Sequence, residues 1–176
     1  MIIISNYDFY NLDEYDYLRP DDRDLFIYGS RGCVRKCSFC NVPTLWPQFR
    51  WRTGENLADE LTKNYEKYGI TNFFFTDSLM NGNLKEFYAL HESLARRNLP
   101  KFDFSGFAII RPKKQHTVEL FDMLKSSGRH FWNVGVEHGS DAVRHDMKKK
   151  FIIAIGTYQN QHLKSKAKKL KELSTI

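Results

Sequence analysis

No apolar run in this sequence approaches the roughly 20 residues that a bilayer-spanning helix needs. The opening stretch offers only Ile2-Ile3-Ile4 without a basic flank, which does not make a secretory signal. These two absences predict a cytoplasmic protein with no membrane partner. Cysteine is scarce as well: the chain has three, an odd number that does not suit a closed disulfide framework. The body also lacks surplus charge. The first 143 residues hold 18 basic and 19 acidic side chains, so the net charge of +6 comes from the segment after them. From Arg144 onward nine Lys or Arg face two acidic residues. A basic tail on a neutral body is the pattern of a solvated face, and a nucleic-acid partner is not expected.

The remainder is ordinary for a globular protein. At 176 residues, with 41% hydrophobic and 27% charged, one domain with a real core is predicted. Residues 1–24 carry seven Asp or Glu and the Arg19-Pro20 turn signal, and read as an irregular lead-in. Leu25 to Tyr28 is a short apolar strand ended by Gly29. A helix opens at Thr53-Gly54-Glu55-Asn56 and runs to about Tyr68, with Leu57, Leu61 and Tyr65 on one face and Gly69 at its end. Phe73-Phe74-Phe75 is a second strand. A helix over about Leu84–Arg97 turns Phe87, Leu90 and Leu94 inward, and Phe102 to Phe107 alternates as a third strand. Thr117 caps a helix to Ser127, with Val118, Phe121 and Leu124 inward and Gly128 as its stop. Phe131 to Val136 is the fourth strand. Strands and helices alternate at the spacing of a parallel βαβ sheet with helices outside, either doubly wound or a (β/α) barrel. In both, chemistry sits at the carboxyl ends of the strands.

At the first of those ends lies Ser30-Arg31-Gly32-Cys33-Val34-Arg35-Lys36-Cys37-Ser38-Phe39-Cys40-Asn41, and all three cysteines fall inside it. Thiols clustered this tightly in a reducing compartment point to metal or redox chemistry. Three thiolates at C-x3-C-x2-C can each bind one iron of a cubane cluster and leave the fourth iron open. Arg31, Arg35 and Lys36 offset the negative charge such a cluster brings. A structural zinc site would want a fourth ligand, and the loop has no His nearby. A simple electron-transfer cluster would want a fourth Cys, which the chain lacks.

The same residues resemble the signature of the radical S-adenosylmethionine (radical SAM) superfamily. The flanks Ser30-Arg31-Gly32 and Asn41-Val42-Pro43 are similar to the branch whose members often carry a cobalamin-binding domain ahead of the barrel. The likeness runs from about Leu25 to Phe151. It implies a partial (β/α) barrel of about four units, a 4Fe–4S cluster on Cys33, Cys37 and Cys40, and S-adenosylmethionine on the open iron. It also implies an electron donor such as flavodoxin or ferredoxin, and leaves the substrate unknown. By the same resemblance Phe39 lies near the adenine. Thr76-Asp77-Ser78 stands where the family has a Gly-Gly-Glu-like segment for the methionine amino group, though without the glycines, and Asp77 also reads as a turn cap. Glu137 falls where a polar residue meets the ribose or methionine, and Lys149 where some members place a cation for the carboxylate. His138 and His145 read as surface residues. The stretch Trp46 to Arg52 reads equally as core or as a substrate-side lid.

The family core has six strand–helix units, and four are legible here. After Phe151 the pattern stops, and residues 152–176 read as a Lys-rich tail or short helix. The 32 residues before Cys33 are too few for a cobalamin domain. The competing expectation is a cluster-binding module, or truncated relative, that does not turn over.

Overall fold

The computed structural model describes residues 7–8, 24–109 and 118–149. The Lys-rich segment and Phe151 to Ile155 therefore lie outside the described residues, as does the cap expected at Thr117. Four strands form one parallel sheet: β1 (Asp24–Ile27), β4 (Asn72–Phe75), β5 (Phe102–Phe107) and β6 (Gly128–Asn133), in the order β1-β4-β5-β6. Between β1 and β4 come β2 (Ser30–Arg31), α1 (Val42–Leu45), β3 (Arg50–Trp51) and α2 (Gly54–Tyr68). Helices α3 (Leu84–Arg96) and α4 (Val118–Ser127) link the remaining strands, and α5 (Asp141–Asp146) follows β6. The architecture is α/β, a parallel sheet with helices of partial-barrel type.

Local chemistry accounts for the element ends. The Thr53 side chain accepts from the Asn56 N–H at the start of α2, and Gly69 closes it in the left-handed region at φ 69°. Asn83 caps α3 through the Glu86 N–H. The period-2 rule then divides the sheet. Leu25, Ile27, Phe73, Phe75, Phe102 and Phe104 are all buried, in one cluster with Leu57, Leu61, Phe87, Leu90, Leu94, Leu120 and Leu124 from the helices. Each fully buried side chain of this size stabilises the fold by about 1.5–3 kcal/mol. The opposite face carries the register row Phe26, Phe74, Ser105 and Phe131.

Two expectations change. The fourth strand starts at Gly128, three residues before Phe131, and ends at Asn133. Gly128 pairs with Phe102, and a Cβ there would sit 1.7 Å from the Phe102 carbonyl oxygen, so glycine both ends the helix and opens the strand. Among the described side chains of α4, Leu120 and Leu124 are buried, whereas Phe121 is 46% exposed; the side chain of Val118 lies outside the described residues. Helix α4 meets α3 and β6 along one stripe, which places Phe121 beyond it.

Candidate functional site

The cysteine loop leaves the carboxyl end of β1 through the small antiparallel pair β2–β3, in which Ser30 faces Trp51 and Arg31 faces Arg50. No periodicity in the sequence announces a pair this short. Burial divides the Trp46 to Arg52 stretch. Arg52 is buried and ion-paired with the buried Glu60, and its Nη1 donates to the Tyr28 carbonyl at 3.0 Å. Trp46 and Trp51 stay exposed, with the Arg31 guanidinium 5.6 Å from the Tyr28 ring centre and 5.1 Å from that of Trp46. Gly32 turns the chain at φ 88°, where a Cβ would lie 2.9 Å from the Gln48 carbonyl oxygen. Only glycine accommodates both conditions.

Beyond Gly32, the thiols of Cys33, Cys37 and Cys40 are free and half-buried. All three line a cavity of about 430 Å³ at the carboxyl end of the sheet. Its walls include Arg35, Phe39, Ser78, Phe107, Glu137 and Lys149. Burial pushes the Cys37 thiol up, against the opposing pull of the Lys149 and Arg35 charges. Among the described residues no three His, Cys, Asp or Glu side chains are grouped to hold a single metal ion. A cubane cluster asks for something else, one thiolate on each of three irons, and three spaced thiols on one loop fit that donor set.

The second wall is built by the loop after β6. Glu137 lies four residues beyond the strand, at φ 67°, in the left-handed region that non-glycine residues seldom occupy. The His138 N–H bonds back to the Val136 carbonyl at 2.9 Å, which makes Glu137 the centre of a left-handed γ-turn. Strained backbone of this kind is concentrated at functional sites. The Glu137 carboxylate accepts from Lys149 Nζ at 2.8 Å, and the same ammonium lies 5.6 Å from the Phe39 ring centre. The backbone adds a tie, because the Ser38 N–H donates to the Met147 carbonyl at 3.0 Å. Arg144, fully buried, braces this loop by donating to the His138 carbonyl and to Asp141. Nothing in the sequence distinguished Arg144 from its basic neighbours. His138 is exposed and accepts the Ser140 N–H at 2.9 Å, and His145 is also exposed.

The structure thus brings Cys33, Cys37, Cys40, Phe39, Ser78, Glu137 and Lys149 onto one cavity. It does not bring Thr76 or Asp77 there. Thr76 donates through Oγ1 to the Ile27 carbonyl at 3.0 Å. Asp77, 2% exposed, accepts from the Gly29 N–H and from the Ser30 hydroxyl. Burial pushes its carboxyl above the usual carboxylate range, and those two hydrogen bonds oppose the shift.

The model of the Radical SAM superfamily matches residues 27–173. The chain belongs to the radical SAM superfamily. It is 28% identical over 125 residues to cytidylyl-2-hydroxyethylphosphonate methyltransferase of Streptomyces wedmorensis, covering 70% of this chain and 23% of that protein. Over 71 residues it is 32% identical to the anaerobic magnesium-protoporphyrin IX monomethyl ester cyclase of Cereibacter sphaeroides, covering 40% of this chain and 12% of the cyclase. The fold matches the radical S-adenosylmethionine methyltransferase TsrM from Kitasatospora setae with a TM-score of 0.61 at 23% identity, over 76% of this chain and 25% of TsrM. One TsrM structure holds tryptophan and the analogue aza-SAM, and another holds cobalamin and a 4Fe–4S cluster. This radical SAM chain spans less than a quarter of the length of either curated relative. Among the described residues no helix is long and apolar enough to cross a membrane.

Proposed function

We propose that this chain holds a 4Fe–4S cluster on Cys33, Cys37 and Cys40 and binds S-adenosylmethionine in the adjoining cavity for reductive cleavage. One observation carries the reading: three free thiols of one loop open onto a cavity that also presents a carboxylate and an ammonium side by side. Held by these three thiolates, a cluster would supply one electron for reductive cleavage of the sulfonium to methionine and a 5′-deoxyadenosyl radical, which would act on an unknown substrate.

The residues supply position and environment. Glu137 and Lys149 match the opposite charges of an amino-acid end, with the carboxylate of Glu137 for an ammonium and Lys149 for a carboxylate. Ser78 offers a hydroxyl from the turn after β4, and the exposed ring of Phe39 offers a flat surface to a base. Leu79, Phe107, Ile109 and Val134 form apolar walls that exclude water from a reactive centre. An external low-potential electron donor, such as flavodoxin or ferredoxin, completes the cycle.

Anaerobic reconstitution with ferrous iron and sulfide tests the proposal. We expect about four irons per chain, a reduced-cluster paramagnetic resonance signal that moves on adding S-adenosylmethionine, and 5′-deoxyadenosine under dithionite. A protein that takes up zinc and no iron overturns the reading. A cluster that forms without any 5′-deoxyadenosine establishes instead a cluster-binding module without turnover.

A further inference from the structure

Asp77 was expected on the cofactor, and its side chain is hydrogen-bonded to Gly29 and Ser30. Its two carboxylate oxygens are divided between partners that do not line the cavity: Oδ2 takes the Gly29 N–H at 2.9 Å and Oδ1 takes the Ser30 hydroxyl. The partners are 47 and 48 residues away in the chain and stand at the root of the cysteine loop. Gly29 is bound from both sides, since its carbonyl accepts the Arg52 N–H at 2.8 Å. Space beside it is limited, since a Cβ there would lie 3.2 Å from the Phe75 ring and 3.4 Å from Asp77 Oδ1. Ser30 is buried and paired with Trp51 in β2–β3, and its hydroxyl also lies 3.3 Å from the Leu79 carbonyl. Three residues on comes Cys33. The next two residues after Asp77, Ser78 and Leu79, line the cavity.

From this arrangement we infer that Asp77 is a positioning residue: it fixes the root of the cysteine loop against the carboxyl end of β4, and so sets the spacing between the three thiols and the cavity wall formed by Ser78 and Leu79. The inference rests on the cluster reading above. A buried carboxylate with both oxygens accepting costs desolvation that this fold retains, and breaking such a network leaves the Gly29 N–H and the Ser30 hydroxyl buried without their partner. Asparagine can reproduce the contacts. Its carbonyl takes the Gly29 N–H and its amide donates to Ser30 Oγ, while the Ser30 hydroxyl turns to the Leu79 carbonyl. Alanine reproduces neither.

The test uses the full chain as parent, Asp77→Ala, Asp77→Asn and Ser30→Ala, each reconstituted anaerobically and then challenged with a ferrous chelator. We expect the cluster of Asp77→Ala to be lost about tenfold faster than that of the parent, with a broadened resonance signal. Asp77→Asn should stay close to the parent, with Ser30→Ala in between. Amide exchange over residues 29–40 of the metal-free chain reads the same anchor without a cluster. It should speed up in Asp77→Ala and recover in Asp77→Asn, with α2 and α3 unchanged as the control for folding. A parent that takes no iron refutes the cluster reading, and the exchange data then judge the anchor by themselves. Unchanged exchange together with an unchanged rate of cluster loss overturns the inference. So does an Asp77→Ala chain whose only defect is a weaker response to S-adenosylmethionine, which would return Asp77 to the cofactor.

Discussion

Lowering the pH should loosen the corner where α3, α4 and β6 meet, because two neutral imidazoles are packed there. His91 is fully buried, with its ring centre 4.8 Å from that of His130 and 5.2 Å from that of Phe104. The Ser127 hydroxyl donates to the Leu124 carbonyl at 3.0 Å, so it is left to accept from His91 Nδ1 at 2.9 Å. His130 stacks on Phe104, with centroids 4.9 Å apart and planes at 19°, and its Nε2 bonds the Leu124 carbonyl at 3.2 Å. Burial lowers both imidazoles. His91 falls well below its ordinary value, aided by repulsion from His130, and His130 falls to about 4 although the Leu124 carbonyl and Asp103 pull the other way.

An unfolded chain titrates these groups near 6.5, so between there and about 4 it binds protons that the folded chain refuses. Folding stability from His130 is therefore intact above about pH 6.5 and falls with pH. The drop approaches 2.5 units of 1.36 kcal/mol, or roughly 3 kcal/mol, by pH 4. His91 adds to it in the same direction. Against a total of about 5–15 kcal/mol that loss is large. Urea melts of the full chain from pH 8 to pH 4.5 should show it, with His130→Phe as the control that keeps the ring stacked on Phe104 and cannot titrate. At pH 8 the variant should lie within about 1.5 kcal/mol of the parent, since it loses one hydrogen bond. Below pH 6 its stability should fall less steeply than the parent's. Parallel stability curves for the two chains across that window would refute the reasoning.

Gly54→Ala should be destabilising by about 3 kcal/mol, although alanine is the better helix former by about 1 kcal/mol. Its Cβ would lie 2.3 Å from the Leu90 nitrogen and 2.4 Å from the Glu86 carbonyl oxygen, both backbone atoms of α3; a denaturant midpoint equal to the parent's would contradict this. Glu137→Gly should leave stability within about 1 kcal/mol, because relief of the left-handed backbone offsets a partly exposed ion pair. Affinity of the reconstituted chain for S-adenosylmethionine should nevertheless fall more than about tenfold, and unchanged affinity by calorimetry would remove Glu137 from the cofactor site.

The alternation of strands and helices and the cysteine loop were legible in the sequence because they are local. A thiol spacing is read along the chain, Thr53 and Gly69 mark helix ends through their own backbones, and one buried face recurs at the period of its element. Thr76-Asp77-Ser78 shows where that ends. Three adjacent polar residues at one strand end look equivalent in sequence, yet the pleat and the turn send Thr76 to Ile27, Asp77 to the root of the cysteine loop and only Ser78 to the cavity. Glu137 and Lys149 were each visible as charges, but not as partners, because a left-handed γ-turn and α5 had to fold the chain back before they met. Arg144 was one basic residue among several until the fold buried it, and the start of β6 at Gly128 depended on how closely Phe102 approaches. Composition and periodicity record what a residue prefers near itself. Which of several polar side chains meets a given backbone N–H is decided by contacts almost fifty residues apart, and those exist only once the sheet has assembled.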